Sequence, residues 1–426
     1  MSSLRFCMVT TFYPPYNFGG DGIGIQRFSQ ALARLGHRVT VLQDVDAYKV
    51  LNKGAEPIEK GEADGVEVVR IRSRLSKVSV LLTHQTGRPL INASAIRSFF
   101  DERKFDVINF HNISLIGGPG VLKYESAITL YMAHEHWLVC PTHVLWRHKR
   151  ERCTGKQCFR CSLRYRRPPQ LWRYTGYLQR QLKHVDAFIA MSEFSRDKHR
   201  EFGFGRDMQV VNYFLPSKTE SATNDESPHA RPYFLFVGRL ERIKGLDDVI
   251  PIFKHYKDAD LLIAGDGDYA SVLRELAGGN NNVIFLGRVR PEKLEKYYRH
   301  ALALIVPSVC FETFGIIIIE AFRQGTPVLA RRLGPFPEIV ERCGGGLLFT
   351  DADELCAAMR RLQDDDLLRL KLSQSGLNGF EAYWSEAAVV PHYLDVVRRA
   401  AESKGRLDIV QALDSQEIPP NEFLKN

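Results

Sequence analysis

Glu312 and Glu320 stand eight residues apart in PSVCFETFGIIIIEAFRQGTPVLA, residues 307–330, on either side of a Thr-Phe-Gly turn. The strand pattern ALALIVPS precedes the turn, and the helical pattern IIIIEAFRQ follows it from about Phe314 or Gly315. The first N–H groups of such a helix, at Phe314, Gly315 and Ile316, lack intrahelical acceptors and suit a phosphate. Glu320 interrupts an otherwise apolar face, where a carboxylate costs free energy unless paired. Its two oxygens side by side match the vicinal hydroxyls of a ribose. Glu312, in the loop, would face whatever is attached beyond the phosphates. The plainer alternative is a surface charge at Glu312 and an arginine pair at Glu320.

Two other loops carry compatible chemistry. In VGRLERIKG, residues 237–245, Arg239 and Lys244 flank a turn cleared by Gly238 and Gly245. A forked guanidinium and a point-charge ammonium together suit a diphosphate, although exposed basic residues in a loop are often only solvated. In FGGDGIG, residues 18–24, glycines at 19, 20, 22 and 24 precede a helical pattern. They allow close backbone approach to an anion at a helix N-terminus. The spacing is not the GxGxxG dinucleotide fingerprint, and a flexible surface turn is the alternative.

The elements that must position these loops alternate regularly. LRFCMVTTFY, RVTVL, VEVVRI, DVINFHN, AITLYMAH and DAFIAMS read as strands of a first half, with Ser192 or Ser195 capping the helix after the last. YFLFVGR, ADLLIAGDG, NVIFLGRV, ALALIVPS, PVLARR and GGLLF restart the rhythm. Such βα alternation predicts parallel sheets covered by helices, with ligands at the carboxyl ends of the strands. PSKTESATNDESPHARP, residues 216–232, has no aliphatic residue beyond alanine and reads as a linker. The expected layout is a first lobe over 1–215, the linker at 216–232 and a second lobe over 233–378. Helices over 379–400 would return to the first lobe, and a loosely docked tail would fill 401–426.

The net charge of +8 is local, because residues 146–167 hold nine Lys or Arg against Glu151 alone. Such a patch attracts phosphates of a substrate, an anionic lipid or a nucleic acid. Cys140, Cys153, Cys158 and Cys161 crowd into the same stretch, within a candidate insertion at 137–170. The C-x12-C-x4-C-x2-C spacing suits a structural tetrahedral zinc, with an iron–sulfur cluster second and free thiols as the plain alternative. His136, His143 or His148 could replace one cysteine. Trp146, Phe159, Tyr165, Trp172, Tyr174 and Tyr177 give the stretch the mixed basic and aromatic character of a membrane-interface surface. No finger helix with paired histidines follows, which argues against a nucleic-acid partner. No apolar run spans a bilayer, and no signal peptide is read, so a cytoplasmic protein is expected.

Taken in order and spacing, YPPYNFGGDGIG, VGRLERIKG, the GDGD loop at 265–268, VIFLGRV and the Glu312-x7-Glu320 motif resemble the retaining glycosyltransferases of family 4. The resemblance implies an α/β GT-B fold, two Rossmann-like lobes facing each other across a cleft. It also implies transfer of a sugar from a nucleoside-diphosphate donor to an acceptor hydroxyl, with no cofactor required for catalysis. Arg239 and Lys244 would neutralise the leaving diphosphate, Glu320 would hold the ribose and Glu312 the donor sugar. The Thr313-Phe314-Gly315-Ile316 backbone would meet sugar and phosphate, and Arg288 and Val289 the base. Gly238, Gly265 and Asp266 would complete the donor loops. His134 of AHEHW matches a histidine beside the donor sugar's anomeric side, and Gly19, Gly20 and Gly22 match a loop over donor phosphate and acceptor. The expected acceptor is a glycan or a lipid-linked glycan in polysaccharide, lipopolysaccharide or other glycoconjugate synthesis, with peripheral contact to the inner face of an anionic membrane. A nucleotide-sugar hydrolase or epimerase, or a non-catalytic zinc-stapled binding protein, are the competing readings.

Overall fold

In a computed structural model, residues 3–52, 65–123, 127–216 and 226–415 are described. The described residues divide into two units, one running to 213 and resuming from 389, the other spanning 214–388. Residues 217–225 of the expected linker, and the tail beyond 415, lie outside the described residues.

The first unit is built on strands β1 (Arg5–Thr10), β2 (Arg38–Asp44), β3 (Val66–Ile71), β4 (Val107–Phe110) and β5 (Ile128–Ala133). A two-residue antiparallel pair, β6 (Trp146–Arg147) and β7 (Glu151–Arg152), stands apart, and β8 (Ala187–Ala190) and β9 (Gln209–Val210) complete the main sheet. The order β3-β2-β1-β4-β5-β8-β9 is parallel throughout. Both faces are covered, so β1, β4 and β5 read as continuous apolar runs rather than alternating ones.

The second unit repeats the plan with β10 (Tyr233–Val237), β11 (Asp260–Ala264), β12 (Val283–Gly287), β13 (Ala303–Val306), β14 (Val328–Arg331) and β15 (Gly346–Phe349). Its order, β12-β11-β10-β13-β14-β15, is again parallel. In both sheets the first strand lies inside and the order reverses around it, which places a topological switch point at its carboxyl end.

Three boundaries differ from the sequence reading. The helix Asp366–Tyr383 belongs to the second unit, and the return to the first begins at Val389, inside the helix Glu386–Ser403, rather than at 379. Residues 401–414 are not a loose tail: the helix Leu407–Asp414 buries Ile409, Ala412 and Leu413. The helix after β1 starts at Gly20, so Gly20, Gly22 and Gly24 lie within it and Gly19 alone is its cap. Gly22 and Gly24 serve close packing there. A Cβ on Gly22 would lie 2.5 Å from Asn17 Oδ1, and one on Gly24 would lie 2.2 Å from the Tyr213 ring.

Candidate functional site

In the second unit the loops after β10 to β13 are stitched together by glycine contacts. Gly265 has φ +149°, and a Cβ there would sit 1.9 Å from the Gly238 carbonyl oxygen. Gly238 N–H donates to Ala264 O, and Gly265 N–H to Gly287 O, just ahead of exposed Arg288 and half-buried Val289. Gly245, at φ +75°, leaves 2.1 Å between its hypothetical Cβ and Pro307 O, so only glycine lets this turn meet the end of β13. Val309 N–H donates to Ile243 O across the same seam. The seam brings the 238–245 turn and the 307–315 loop side by side.

Lys244 and Glu312 meet there, with Nζ donating to Oε1 at 2.6 Å. Ser308 Oγ donates to the same oxygen at 3.0 Å. Burial works against the ammonium, but Glu312 together with the neighbouring Cys310 more than offsets it, and the Lys244 pKa is raised. Arg239 is 60% exposed and pairs with Glu241 at 2.7 Å. Asp266 is exposed and accepts from Gly267 N–H.

The helix Ile316–Arg323 begins after Gly315, its cap, as its sequence pattern requires. Gly315 packs so tightly that a Cβ would come within 2.9 Å of Ile318 Cδ1. Thr313 is half-buried and Phe314 buried. One turn in, Glu320 Oε2 accepts from Tyr298 O–H at 3.0 Å. Tyr298 and Ser308 were not among the sequence candidates. Ser308 precedes Glu312 by four residues, a signal available in the sequence, whereas Tyr298 reaches Glu320 from the preceding helix, and no local pattern marks it.

His134 follows β5 in the first unit, at the carboxyl edge of that sheet, and is 7% exposed. Its ring is not turned outward. His134 Nδ1 lies 2.5 Å from Tyr213 Oη, and Nε2 lies 2.9 Å from His111 Nδ1. The other His111 nitrogen lies 3.3 Å from Met8 Sδ, a group that only accepts. Burial lowers the pKa of His134 to about 3 and that of His111 well below its usual value, so both rings are neutral. The directions are then fixed by elimination: Tyr213 O–H donates to His134, His134 to His111, and His111 to Met8. With both nitrogens engaged, the imidazole cannot also act as a proton acceptor.

Among the described residues no group of three or more His, Cys, Asp or Glu is arranged to hold a metal ion. Cys140, Cys153, Cys158 and Cys161 are free thiols, Cys140 and Cys161 buried. The candidate substitutes are engaged elsewhere. His143 Nδ1 lies 2.5 Å from Glu135 Oε1, His148 Nε2 lies 2.9 Å from Gln157 Oε1, and the His136 ring packs on that of His199.

The doubled parallel sheets are those of a GT-B fold, and acidic and basic loops cluster at the carboxyl ends of the second sheet's strands. A family model described as glycosyl transferases group 1 matches residues 217–378, and one described as glycosyltransferase family 4 matches residues 18–213. The chain belongs to these glycosyltransferases. Among similar proteins is the D-inositol 3-phosphate glycosyltransferase of Corynebacterium kroppenstedtii, 30% identical over 52% of this chain and 56% of its own. The match thus spans about half that relative's length. Sucrose-phosphate synthase of Thermosynechococcus elongatus has a similar structure, with a TM-score of 0.71 at 19% identity over 94% of this chain and all of that one. Anabaena HepE, solved with UDP and glucose, superposes with a TM-score of 0.65 at 16% identity over 92% of this chain and 99% of that one. Among the described residues, no helix is long and apolar enough to cross a membrane.

Proposed function

We propose that the protein transfers a hexose from a nucleoside-diphosphate sugar to an acceptor hydroxyl with retention of anomeric configuration. The observation that carries this reading is the pairing of Lys244 with Glu312, beside the N-terminus of the helix that bears Glu320. Lys244 and exposed Arg239 meet the charge that develops on the diphosphate as the C1–O bond breaks. The Thr313–Ile316 peptides donate to phosphate and sugar. Glu320, held by Tyr298, takes the ribose hydroxyls, and Arg288 and Val289 flank the base. The acceptor oxygen bonds to C1 from the face the diphosphate leaves, and its proton passes to the departing phosphate oxygen. No protein base is assigned, consistent with the sealed His134 ring. In the first unit, Gly19, Gly20 and Gly22 at the start of the helix after β1 are assigned to the acceptor.

The acceptor is a glycan or a lipid-linked glycan presented at an anionic membrane surface. Support comes from the first unit, where Leu75, Val78, Leu81, Leu90, Leu171 and Tyr174 are exposed among exposed Arg72, Arg74, Lys77, Arg88 and Arg180. Trp172 ties these segments together by donating to His84 O at 3.0 Å. A cavity of about 270 Å³ lined by Arg88, Arg180, Trp172 and Tyr177 opens between them. Apolar side chains interleaved with arginines suit a headgroup layer.

The test is nucleoside-diphosphate release from a panel of nucleotide sugars, comparing wild type with Glu320→Ala. Release from one donor, reduced ~100-fold in the variant, is expected. Equal release by both proteins would place the chemistry elsewhere, and inversion in the product would rule out retention.

A further inference from the structure

We infer that Cys140, Cys153, Cys158 and Cys161 form a site for one structural Zn²⁺ ion. The site uses none of the residues assigned to sugar transfer and stands or falls apart from them. The four thiols come from three short segments, the turn after β5, the end of the β6–β7 pair and the helix Cys158–Arg164. All four line one cavity of about 20 Å³, walled by Leu145, Trp146 and Arg147. A space of that size holds one water-sized sphere, enough for a single ion and too little for an iron–sulfur cluster. The sulfurs do not converge to ligating geometry as they stand, so binding requires them to turn into the cavity they line, to about 2.3 Å from a common centre. Four thiols then release four protons to solvent, and the ion with four thiolates carries a net charge of −2.

Three independent features fit an ion at this position. The first is charge. Arg173 is sandwiched over Trp137 and Trp172, with one guanidinium nitrogen buried and without a hydrogen-bond partner. Burial lowers its pKa to about 10, against the pull of Cys140, Tyr131, Cys158 and Tyr174 around it. A dianionic cluster would supply the missing counter-charge, with Arg147 on the cavity wall sharing it.

The second feature is backbone conformation. Among the described residues, every non-glycine residue with positive φ falls in this segment: His143, Leu145, His148, Lys149 and Arg166. Each such residue costs on the order of 1 kcal/mol, which persists only where the surroundings over-determine the conformation. Two two-residue strands and a seven-residue helix supply little core for that purpose. A metal staple supplies the constraint.

The third feature is a backbone donor already aimed at sulfur. His148 N–H lies 3.3 Å from Cys161 Sγ, the arrangement that holds and stabilises a thiolate ligand. Zinc would thus fix the hairpin and helix that carry exposed Phe159, Arg160, Leu163 and Arg164.

The experiment uses the full chain. Elemental analysis of protein purified without added metal should give about one zinc per chain, and a Cys158→Ser/Cys161→Ser variant should hold less than ~10% of that. Metal-stripped wild type titrated with Co²⁺ should develop thiolate charge-transfer and tetrahedral ligand-field bands saturating at one equivalent. This readout does not depend on the variant folding. Zinc removal should also accelerate tryptic cleavage within 147–167 by ~10-fold, reversed by adding zinc back. Absence of both zinc and cobalt bands would overturn the site. So would zinc retained by the variant, iron with visible absorption, or a denatured thiol count short by the two or four groups consumed in disulfides.

Discussion

Lys244 and Glu312 neutralise each other at 2.6 Å across two loops, 68 residues apart in the chain. Their side chains are 21% and 25% exposed, so each is screened from bulk water without being sealed from it. The pair presents a positive group held in place but reachable by a ligand. Lys244→Met should reduce transfer ~10²–10³-fold, the usual cost of losing a donor to developing charge. Glu312→Gln leaves a partly buried ammonium without its partner and should cost about 1–3 kcal/mol of stability. The Lys244→Met/Glu312→Gln double variant should be more stable than the sum of the singles predicts, by ~1 kcal/mol or more. Urea unfolding of the four proteins measures this coupling, and strict additivity would mean the ion pair contributes nothing.

Tyr213 closes the first unit's buried chain of donors. Tyr213→Phe removes only the hydroxyl that donates to His134 Nδ1, leaving a buried acceptor unsatisfied at a cost of about 1–3 kcal/mol. Gly24→Ala attacks the same contact from the other side, because the added methyl would overlap the Tyr213 ring. Both should lower the urea midpoint. An unchanged midpoint for Tyr213→Phe would show that the hydroxyl bond is not the one holding the ring.

How far the site could be read from sequence follows the distance over which each contact acts. Glu312, Gly315 and Glu320 lie on one turn and one helix, so residue spacing alone places them. Arg239 and Lys244 were legible for the same reason, as was the cap at Ser192, which accepts from Ser195 N–H. The partners that decide protonation and orientation were not. Tyr298 meets Glu320 from another helix, and Tyr213 meets His134 from 79 residues away. The packing reason for the glycines at 22 and 24 was not legible, because a glycine required by a neighbouring side chain looks the same in sequence as one required by a phosphate. The return at Val389 was missed because the helix Glu386–Ser403 runs through it, Pro391 included, with no break in composition. Ile409, Ala412 and Leu413 do carry a helical period, which the polar flanks of the tail obscured.

The exposed apolar and basic face of the first unit should bind vesicles containing anionic lipid and not neutral ones. Each arginine near such a surface contributes ~1 kcal/mol, so Arg88→Glu/Arg180→Glu should weaken binding by at least ~10-fold. Leu81→Asp, on the exposed side of its helix, should do the same at high salt, where the arginines are screened. Sedimentation with vesicles of each composition separates the two contributions. Equal binding to neutral and anionic vesicles would remove the electrostatic half of the proposal.

Acid should destabilise the first unit, and the histidines set the direction. His134 and His199 are held to about 3 and about 4 by burial, and His111 lies well below its usual value for the same reason. Unfolded histidines take up a proton near pH ~6.5, while these three remain neutral in the fold. Their contribution is therefore complete above that pH and is lost as pH falls toward the folded values, at about 1.4 kcal/mol per pH unit for each ring. Asp44 acts in the opposite sense. Burial, reinforced by Asp46, raises its pKa to about 7, so its protonated folded form gains stability as pH falls from there toward ~4. One carboxyl opposes these three imidazoles and that of His84, which burial lowers to about 4, leaving a net loss of about 4 kcal/mol per unit between pH 6 and 5. Urea midpoints across that interval should fall steeply, and His199→Asn should reduce the slope by about 1.4 kcal/mol per pH unit, the contribution of one ring. A flat profile would mean that these rings accept protons without unfolding, which the buried hydrogen-bond chain through His111 and His134 does not allow.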